Sequence, residues 1–120
     1  MAQVVALIDD LFFLSKLLET AKQVGVDLRT CATADALGAE IAQAPPRLVV
    51  VDLNANSDPL PAFERMRASG AEIPSIGFLS HVQVDLAERA RAAGCREVMP
   101  RSKFTQNLAT ILARAKSDER

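Results

Sequence analysis

The amino-acid sequence predicts an α/β domain built on a five-stranded parallel sheet with helices on both faces. Short apolar runs alternate with longer segments of helical period along the whole chain, and strict alternation of this kind is typical of parallel sheets. The first, third and fourth runs are apolar throughout, as expected for strands buried on both faces. A length of 120 residues suits one hydrophobic core, so we expect a single domain over 1–120.

Five apolar runs are the strand candidates. The predicted strands are 4–8, 26–31, 48–51, 75–79 and 97–99. The second alternates apolar and polar residues, and the fifth, EVM, has the weakest pattern. Asp52 directly follows the third run, LVVV. Its carboxylate is either a capping or turn group, or a functional group that the fold directs out of its core.

Five segments of helical period separate or follow these strands. The predicted helices are 11–24, a segment capped by Thr33 or Asp35 that ends before Pro45, about 60–68, about 84–93, and a last helix capped by Ser102. Gly25 and Gly94 are suited to end the first and fourth helices. The expected apolar faces are Leu14, Leu17, Leu18 and Ala21 in the first helix, and Phe104, Leu108, Ile111 and Leu112 in the last.

Composition excludes several classes of protein. The net charge is −1, with 14 Lys and Arg against 15 Asp and Glu, so the broad basic surface of a nucleic-acid binder is not expected. A local group of basic residues is expected to be a solvated helix face; it consists of Arg89, Arg91, Arg96, Arg101 and Lys103. Cys31 and Cys95 lack metal-ligand spacing and are expected to be buried free thiols in a reducing cytosol.

The N-terminal sequence indicates no targeting segment. MAQVVALIDDLFFL has no basic region before its apolar run, and Asp9 and Asp10 interrupt that run. No segment has the length needed to span a bilayer. We therefore expect a cytoplasmic protein without membrane contact.

Polar residues follow the predicted strands at the sheet edge where functional groups collect. Asp9 and Asp10 follow the first strand, Asp52 the third, Ser80 the fourth and Arg101 the fifth. Clustered carboxylates repel each other unless a cation compensates, and hard oxygen ligands suit Mg²⁺. Such a site fits phosphoryl chemistry, in which a carboxylate attacks and cations neutralise the phosphoryl oxygens. The alternative is that each Asp is only a cap.

The order of these motifs resembles the receiver domain of bacterial two-component response regulators over essentially the whole chain. The matching segments are IDD (8–10), VVVDLN (49–54), GFLSH (77–81) and GCREVMPRS (94–102). The resemblance implies a doubly wound, flavodoxin-like fold with strand order 2-1-3-4-5. No attached output domain is expected, because 120 residues leave no room for a second domain of normal size. The resemblance also implies phosphoryl transfer from a histidine kinase or phosphotransfer partner, and signalling through a downstream protein target.

The resemblance assigns roles to individual residues. Asp52 would accept the phosphoryl group. Asp9, Asp10 and Asp52 would hold a weakly bound Mg²⁺ together with the backbone carbonyl of Asn54. Ser80 and Arg101 would contact the phosphoryl oxygens, and the protein would not be a turnover enzyme.

Four positions depart from the family pattern. Arg101 stands where the family has Lys, and its planar fork can either contact a phosphoryl oxygen or bind Asp52 directly. Ser102 stands where receivers usually have a cis-proline, so the local path of the chain is expected to differ. Val98 replaces the switching Tyr or Phe, and the loop NANSDPLP (54–61) lacks the usual Pro and Gly spacing.

Two further functions compete with this one. A pseudo-receiver would use the same fold as a phosphorylation-independent interaction module, and a small phosphohydrolase would need a general acid or base that the sequence does not reveal. His81, the single histidine, is expected to be solvated. In LFFL (11–14) at least one side chain must lie near the surface, as part of a helix start or as a partner contact.

Overall fold

All five predicted strands form one parallel sheet in this computed structural model, which describes residues 2–70, 72–80 and 83–116. The strands are β1 Val4–Leu7, β2 Leu28–Cys31, β3 Leu48–Asp52, β4 Ser75–Leu79 and β5 Glu97–Pro100. Their order across the sheet is β2-β1-β3-β4-β5, which confirms the predicted doubly wound topology. The sheet order reverses direction beside β1 and β3, so the carboxyl ends of these strands border the crevice where such folds place functional groups.

Helices cover both faces of the sheet. They are α1 Leu11–Val24, α2 Ala34–Gln43, α3 Pro61–Ala68, α4 Val84–Ala93, α5 Arg101–Gln106 and α6 Leu108–Ala113, and a 3-10 turn follows over Arg114–Lys116. Successive strand residues point to opposite faces. Val4 and Ala6 of β1 therefore pack with α1, α5 and α6, whereas Val5 and Leu7 pack with α2, α3 and α4.

The C-terminal helical segment differs from the prediction, because Ser102 is not its cap. Pro100 has extended backbone angles and occupies the cap position, so the helix begins at Arg101 and Ser102 lies inside its first turn. The segment is also broken at Asn107, whose side-chain amide donates to the Lys103 carbonyl at 2.9 Å. The Asn107 backbone N–H also donates to the Lys103 carbonyl, at 3.2 Å, and two short helices meet at this residue.

The first helix buries a face slightly rotated from the predicted one. Phe13, Leu17 and Ala21 are buried at a spacing of four residues, whereas Leu18 is 45% exposed. The predicted inclusion of Leu18 was therefore wrong, and Phe13 takes a core position instead. The expectation that LFFL cannot be buried entirely is confirmed, since Leu11 is 77% and Phe12 92% exposed.

Details around β2 and the two cysteines refine the sequence expectations. The second strand begins at Leu28, two residues later than predicted, and Thr33 is the residue that caps α2, by accepting from the Ala36 N–H.

Both cysteines are free thiols; Cys95 is buried, while Cys31 is only partly so. Burial is the main cause that raises the pKa of Cys31 to about 11. Within the described ranges, no helix combines the length and apolar character needed to cross a membrane.

Three phenylalanines connect α1, β4 and α5 beneath the carboxyl edge of the sheet. The Phe78 and Phe104 rings stack with their centroids 4.6 Å apart. Phe13 meets Phe78 edge-on at 5.2 Å and lies 5.9 Å from Phe104. These aromatic pairs stabilise the fold by more than the apolar area that they bury, and they fix the start of α1 against the end of the sheet.

We expect Phe104→Ala to lower the free energy of unfolding by about 3–5 kcal/mol, because Phe104 is fully buried and its loss leaves a cavity. Urea unfolding measures the effect. Phe12→Ala makes the same substitution on an exposed ring and should change the free energy by no more than about 0.5 kcal/mol. Equal effects for both variants would contradict the described packing of α5.

Candidate functional site

Asp52 ends the central strand β3 with its side chain almost completely buried. It pairs in register with Phe78 of β4 and is only 3% exposed. One carboxylate oxygen, Oδ1, accepts a hydrogen bond from the Asn54 N–H at 2.9 Å. The buried strand therefore fixes the position of the carboxylate, and the second oxygen, Oδ2, is directed towards Arg101.

Arg101 bridges two of the carboxylates that the sequence predicted at this edge. Its guanidinium lies 3.2 Å from Oδ2 of Asp10 and 3.5 Å from Oδ2 of Asp52. Because β5 ends at Pro100 and α5 begins at Arg101, no loop separates this side chain from the edge of the sheet. Of the two contacts that the sequence left open for Arg101, direct pairing with Asp52 is the one observed.

Two aromatic rings support the guanidinium from below. Its central carbon lies 4.7 Å from the centroid of Phe13 and 5.5 Å from that of Phe78. Such cation–π contacts are strongest where water is excluded, and Arg101 is only 30% exposed. Its Nε–H, however, is buried and has no hydrogen-bond partner among the described residues. The guanidinium is thus well placed for its charge but not fully satisfied as a donor.

Asp10 has a structural and an electrostatic contact at once. Its Oδ1 accepts from the backbone N–H groups of Phe12 and Phe13 at 3.1 and 3.3 Å, and so caps α1. Its Oδ2 accepts from Arg101 at 3.2 Å. The capping interpretation of Asp10 is therefore correct for one oxygen, while the other oxygen lies at the predicted edge and pairs with Arg101.

The two carboxyl groups paired with Arg101 have pKa values shifted in opposite directions. Burial raises the pKa of Asp52, against the Asn54 N–H and Arg101, which lower it; the charges of Asp9 and Asp10 raise it further. The pKa of Asp10 is lowered, first by the Phe13 N–H and next by Arg101. Asp52 is therefore the carboxylate whose negative charge is costly here and depends on a neighbouring cation.

Asp9 connects the end of β1 to the loop after β3. Its Oδ2 accepts from the Asn56 N–H at 2.8 Å. In the same loop, the Ser57 hydroxyl donates to the Ala32 carbonyl at 2.7 Å. The loop lacks the family's Pro and Gly spacing, and these contacts with the ends of the two neighbouring strands hold it instead.

Asn54 links Asp52 to the end of β4, because its backbone N–H contacts Asp52 and its side chain contacts the residues after β4. Its Oδ1 accepts from the Ser80 backbone N–H at 2.6 Å, and its Nδ2 donates to Oε1 of Gln83 at 3.0 Å. Ser80 is exposed and lies two residues beyond Phe78, the β4 partner of Asp52. The predicted site residue Ser80 is thus at the correct edge, joined to Asp52 through Asn54. His81 lies outside the described residues.

The carboxylate donors suit Mg²⁺ chemically, but with Arg101 in its present position their arrangement does not fit the ion. Within residues 2–70, 72–80 and 83–116, no group of three or more acidic, histidine or cysteine side chains is placed to hold a metal. The guanidinium of Arg101 already lies between Asp10 and Asp52. Magnesium binding by Asp9, Asp10, Asp52 and the Asn54 carbonyl therefore stays a prediction from the sequence.

The two remaining departures lie beside this site. Val98 of β5 is half-buried and lines an open groove against Val84 and Ala87 of α4. Ser102 is exposed within α5, and no cis peptide bond occurs in the described part of the chain. Neither residue contributes a charged or aromatic group to the site.

Solved structures with the same architecture were found by structural comparison. The receiver domain of NtrX from Brucella abortus matches with a TM-score of 0.79 and 21% identity, over 97% of this chain and 99% of that one. This chain has the receiver-domain fold. The receiver domain of a LuxO repressor protein from Vibrio parahaemolyticus matches with a TM-score of 0.75 and 18% identity, over 96% and 92% of the two chains.

The receiver fold also occurs within longer chains. In a crystal structure of NtrX from Brucella abortus in complex with ATP, the match covers 95% of this chain but 26% of that one, with 22% identity and a TM-score of 0.79. No protein-family model and no curated protein sequence matches this chain. The likeness is therefore one of fold, at sequence identities that leave the chemistry to be argued from the residues themselves.

Sequence reasoning missed three contributors to the site. Phe13 and Phe78 were expected only as apolar residues, yet they carry the guanidinium of Arg101. Asn54 was expected to contribute its backbone carbonyl, yet its side chain connects Ser80 to Gln83. The sequence did contain a signal for the Phe13 contact. Arg101 follows the fifth strand and Phe13 lies at the start of the first helix, and both positions are at the same edge of a parallel sheet.

We expect Asp52→Asn to raise the melting temperature by a few degrees at neutral pH. The raised pKa means that ionised Asp52 disfavours the folded state, and Asn removes that cost. The difference in melting temperature between the variant and the wild type should shrink as the pH falls through the raised pKa of Asp52. It should vanish below about pH 4, where Asp52 is protonated in both the folded and the unfolded state. Thermal unfolding between about pH 3 and pH 8 measures it.

Asp85→Asn is the matched control, since Asp85 is exposed in the first turn of α4. This variant should be equally or slightly less stable than the wild type, because the acidic residue favours the helix N-terminus. A wild type more stable than Asp52→Asn at neutral pH would show that pairing with Arg101 outweighs the burial of Asp52.

Proposed function

We propose that this protein is a receiver in a two-component phosphorelay, in which Asp52 accepts a phosphoryl group from a histidine kinase or phosphotransfer protein. The observation that supports this most directly is the state of the Asp52 carboxylate. One oxygen is held by the Asn54 N–H, and the other is directed to a cation at the edge of the sheet. The Asn54 contact alone is also that of a turn residue, but a turn residue does not require a carboxylate that is only 3% exposed at the end of a buried strand.

The proposed reaction requires one nucleophilic oxygen and one leaving nitrogen. Oδ2 of Asp52 donates an electron pair to the phosphorus of the partner's phosphohistidine, and a new P–O bond forms. The P–N bond breaks, and the imidazole nitrogen retains its electron pair and takes up a proton. The product is an acyl phosphate on Asp52 and a neutral histidine on the partner.

Arg101 supports this reaction by its charge and position. Negative charge on the transferring phosphoryl oxygens needs a nearby cation in a site with little water. The guanidinium lies 3.5 Å from the attacking oxygen and can exchange its contact with Oδ2 for one with a phosphoryl oxygen. Ser80, fixed through Asn54, is the proposed second contact to the phosphoryl group.

The signalling step is proposed to proceed through protein contacts. The exposed Leu11 and Phe12 lie immediately after the site residue Asp10 and offer an apolar contact for a partner. The net charge of −1 gives no electrostatic reason for direct nucleic-acid binding. We further propose a cytoplasmic location and one modification of Asp52 per signalling cycle, without catalytic turnover of a substrate.

We expect the wild-type protein to gain one phosphoryl group when treated with acetyl phosphate or a phosphorylated histidine kinase. Intact-mass spectrometry detects the adduct, and Asp52→Asn should abolish it because no other carboxylate among the residues that the structure describes is buried in this way. Asp58→Asn, which alters an exposed carboxylate in the following loop, should leave the adduct unchanged. Unmodified wild-type protein under both donors would contradict the proposal and favour the pseudo-receiver function.

A further inference from the structure

The positive charge between the carboxylates of Asp10 and Asp52 is the side chain of Arg101. We propose that the Arg101 guanidinium is the resident counter-ion of Asp10 and Asp52, and that a divalent cation binds these carboxylates only by displacing it. The proposal concerns the unmodified protein. It therefore does not depend on whether Asp52 is phosphorylated.

The distances support occupancy by the guanidinium. Its two terminal nitrogens lie 3.2 Å from Asp10 Oδ2 and 3.5 Å from Asp52 Oδ2. Each of these oxygens is the one left over after a backbone N–H has bonded to the other oxygen of the same carboxylate. A metal that used the remaining oxygens would therefore need the positions that the fork of Arg101 already holds.

The surroundings of the side chain favour a guanidinium over a hydrated ion. The rings of Phe13 and Phe78 lie 4.7 and 5.5 Å from its central carbon. An aromatic floor attracts a weakly hydrated planar cation. Mg²⁺ keeps several waters, and the rings offer those waters no hydrogen-bond acceptor.

One feature keeps the guanidinium displaceable. Its buried Nε–H has no hydrogen-bond partner among the described residues, and an unsatisfied buried donor costs free energy. Arg101 is also the first residue of α5 and retains 30% exposure, so the side chain can turn outwards without unfolding the helix. Competition, rather than complete exclusion of the metal, is the expected behaviour.

The test compares Mg²⁺ affinity in the wild type and in Arg101→Gln, followed by backbone amide shifts during a Mg²⁺ titration. Removing a positive charge a few ångströms from the oxygens should raise the affinity at least about tenfold. The largest shifts should occur at Asp10 and Asn54. Thermal unfolding with Mg²⁺ gives an independent readout, because ligand binding to the folded state raises the melting temperature.

Arg29→Gln is the control for net charge, since Arg29 pairs with Glu40 at 3.2 Å on the exposed edge strand. It should bind Mg²⁺ like the wild type. Equal affinity in the wild type and Arg101→Gln would overturn the proposal. The proposal would also be overturned if the Arg101→Gln variant bound no Mg²⁺, because the carboxylates would then form no cation site.

The wild type alone provides a second measurement if Arg101→Gln folds poorly. The Nε–H resonance of Arg101 reports the position of its side chain directly. It should move during the Mg²⁺ titration, in parallel with the Asp10 amide. Saturation of the amide shifts with an unchanged Arg101 resonance would show simultaneous occupancy and overturn the proposal.

Discussion

The site depends on one electrostatic compensation: a carboxylate buried at the end of the central strand is held within reach of a guanidinium. Asp52 is 3% exposed, and its charge is disfavoured by burial and by the two other acids at the edge. A buried charge without a partner is strongly destabilising. Arg101, Asp10, Phe13 and Phe78 therefore act as a unit, in which each group limits where the others can lie.

The parallel sheet explains why these groups meet. Strands β1, β3, β4 and β5 all end at the same edge, so residues distant in the sequence become neighbours there. Phe78 contributes in two ways, because it pairs with Asp52 in the sheet and also packs on Phe13 and Phe104. The hydrophobic core and the charged site are thus continuous, and the receiver fold joins them through the aromatic residues.

Apolar periodicity and the alternation of strands and helices could predict the parallel sheet and the edge that carries the site, whereas the strand order came only from the family resemblance. The sequence could also name Asp10, Asp52 and Arg101, since each follows a strand. It could not choose between a phosphoryl contact and a carboxylate contact for Arg101, because the sequence does not give the distances from the guanidinium to the carboxylates. Nor could it predict the division of the last helical segment at Asn107, because the apolar stripe of the sequence continues through that residue.

Phe12 contacts the site through its backbone and the solvent through its side chain. Its backbone N–H is bonded to Asp10, the partner of Arg101, while its ring is 92% exposed. A protein that covers this ring also restrains the amide that holds the carboxylate. Any effect of surface binding on cation occupancy inside the pocket is therefore reciprocal, because coupled sites change each other's affinity by the same factor.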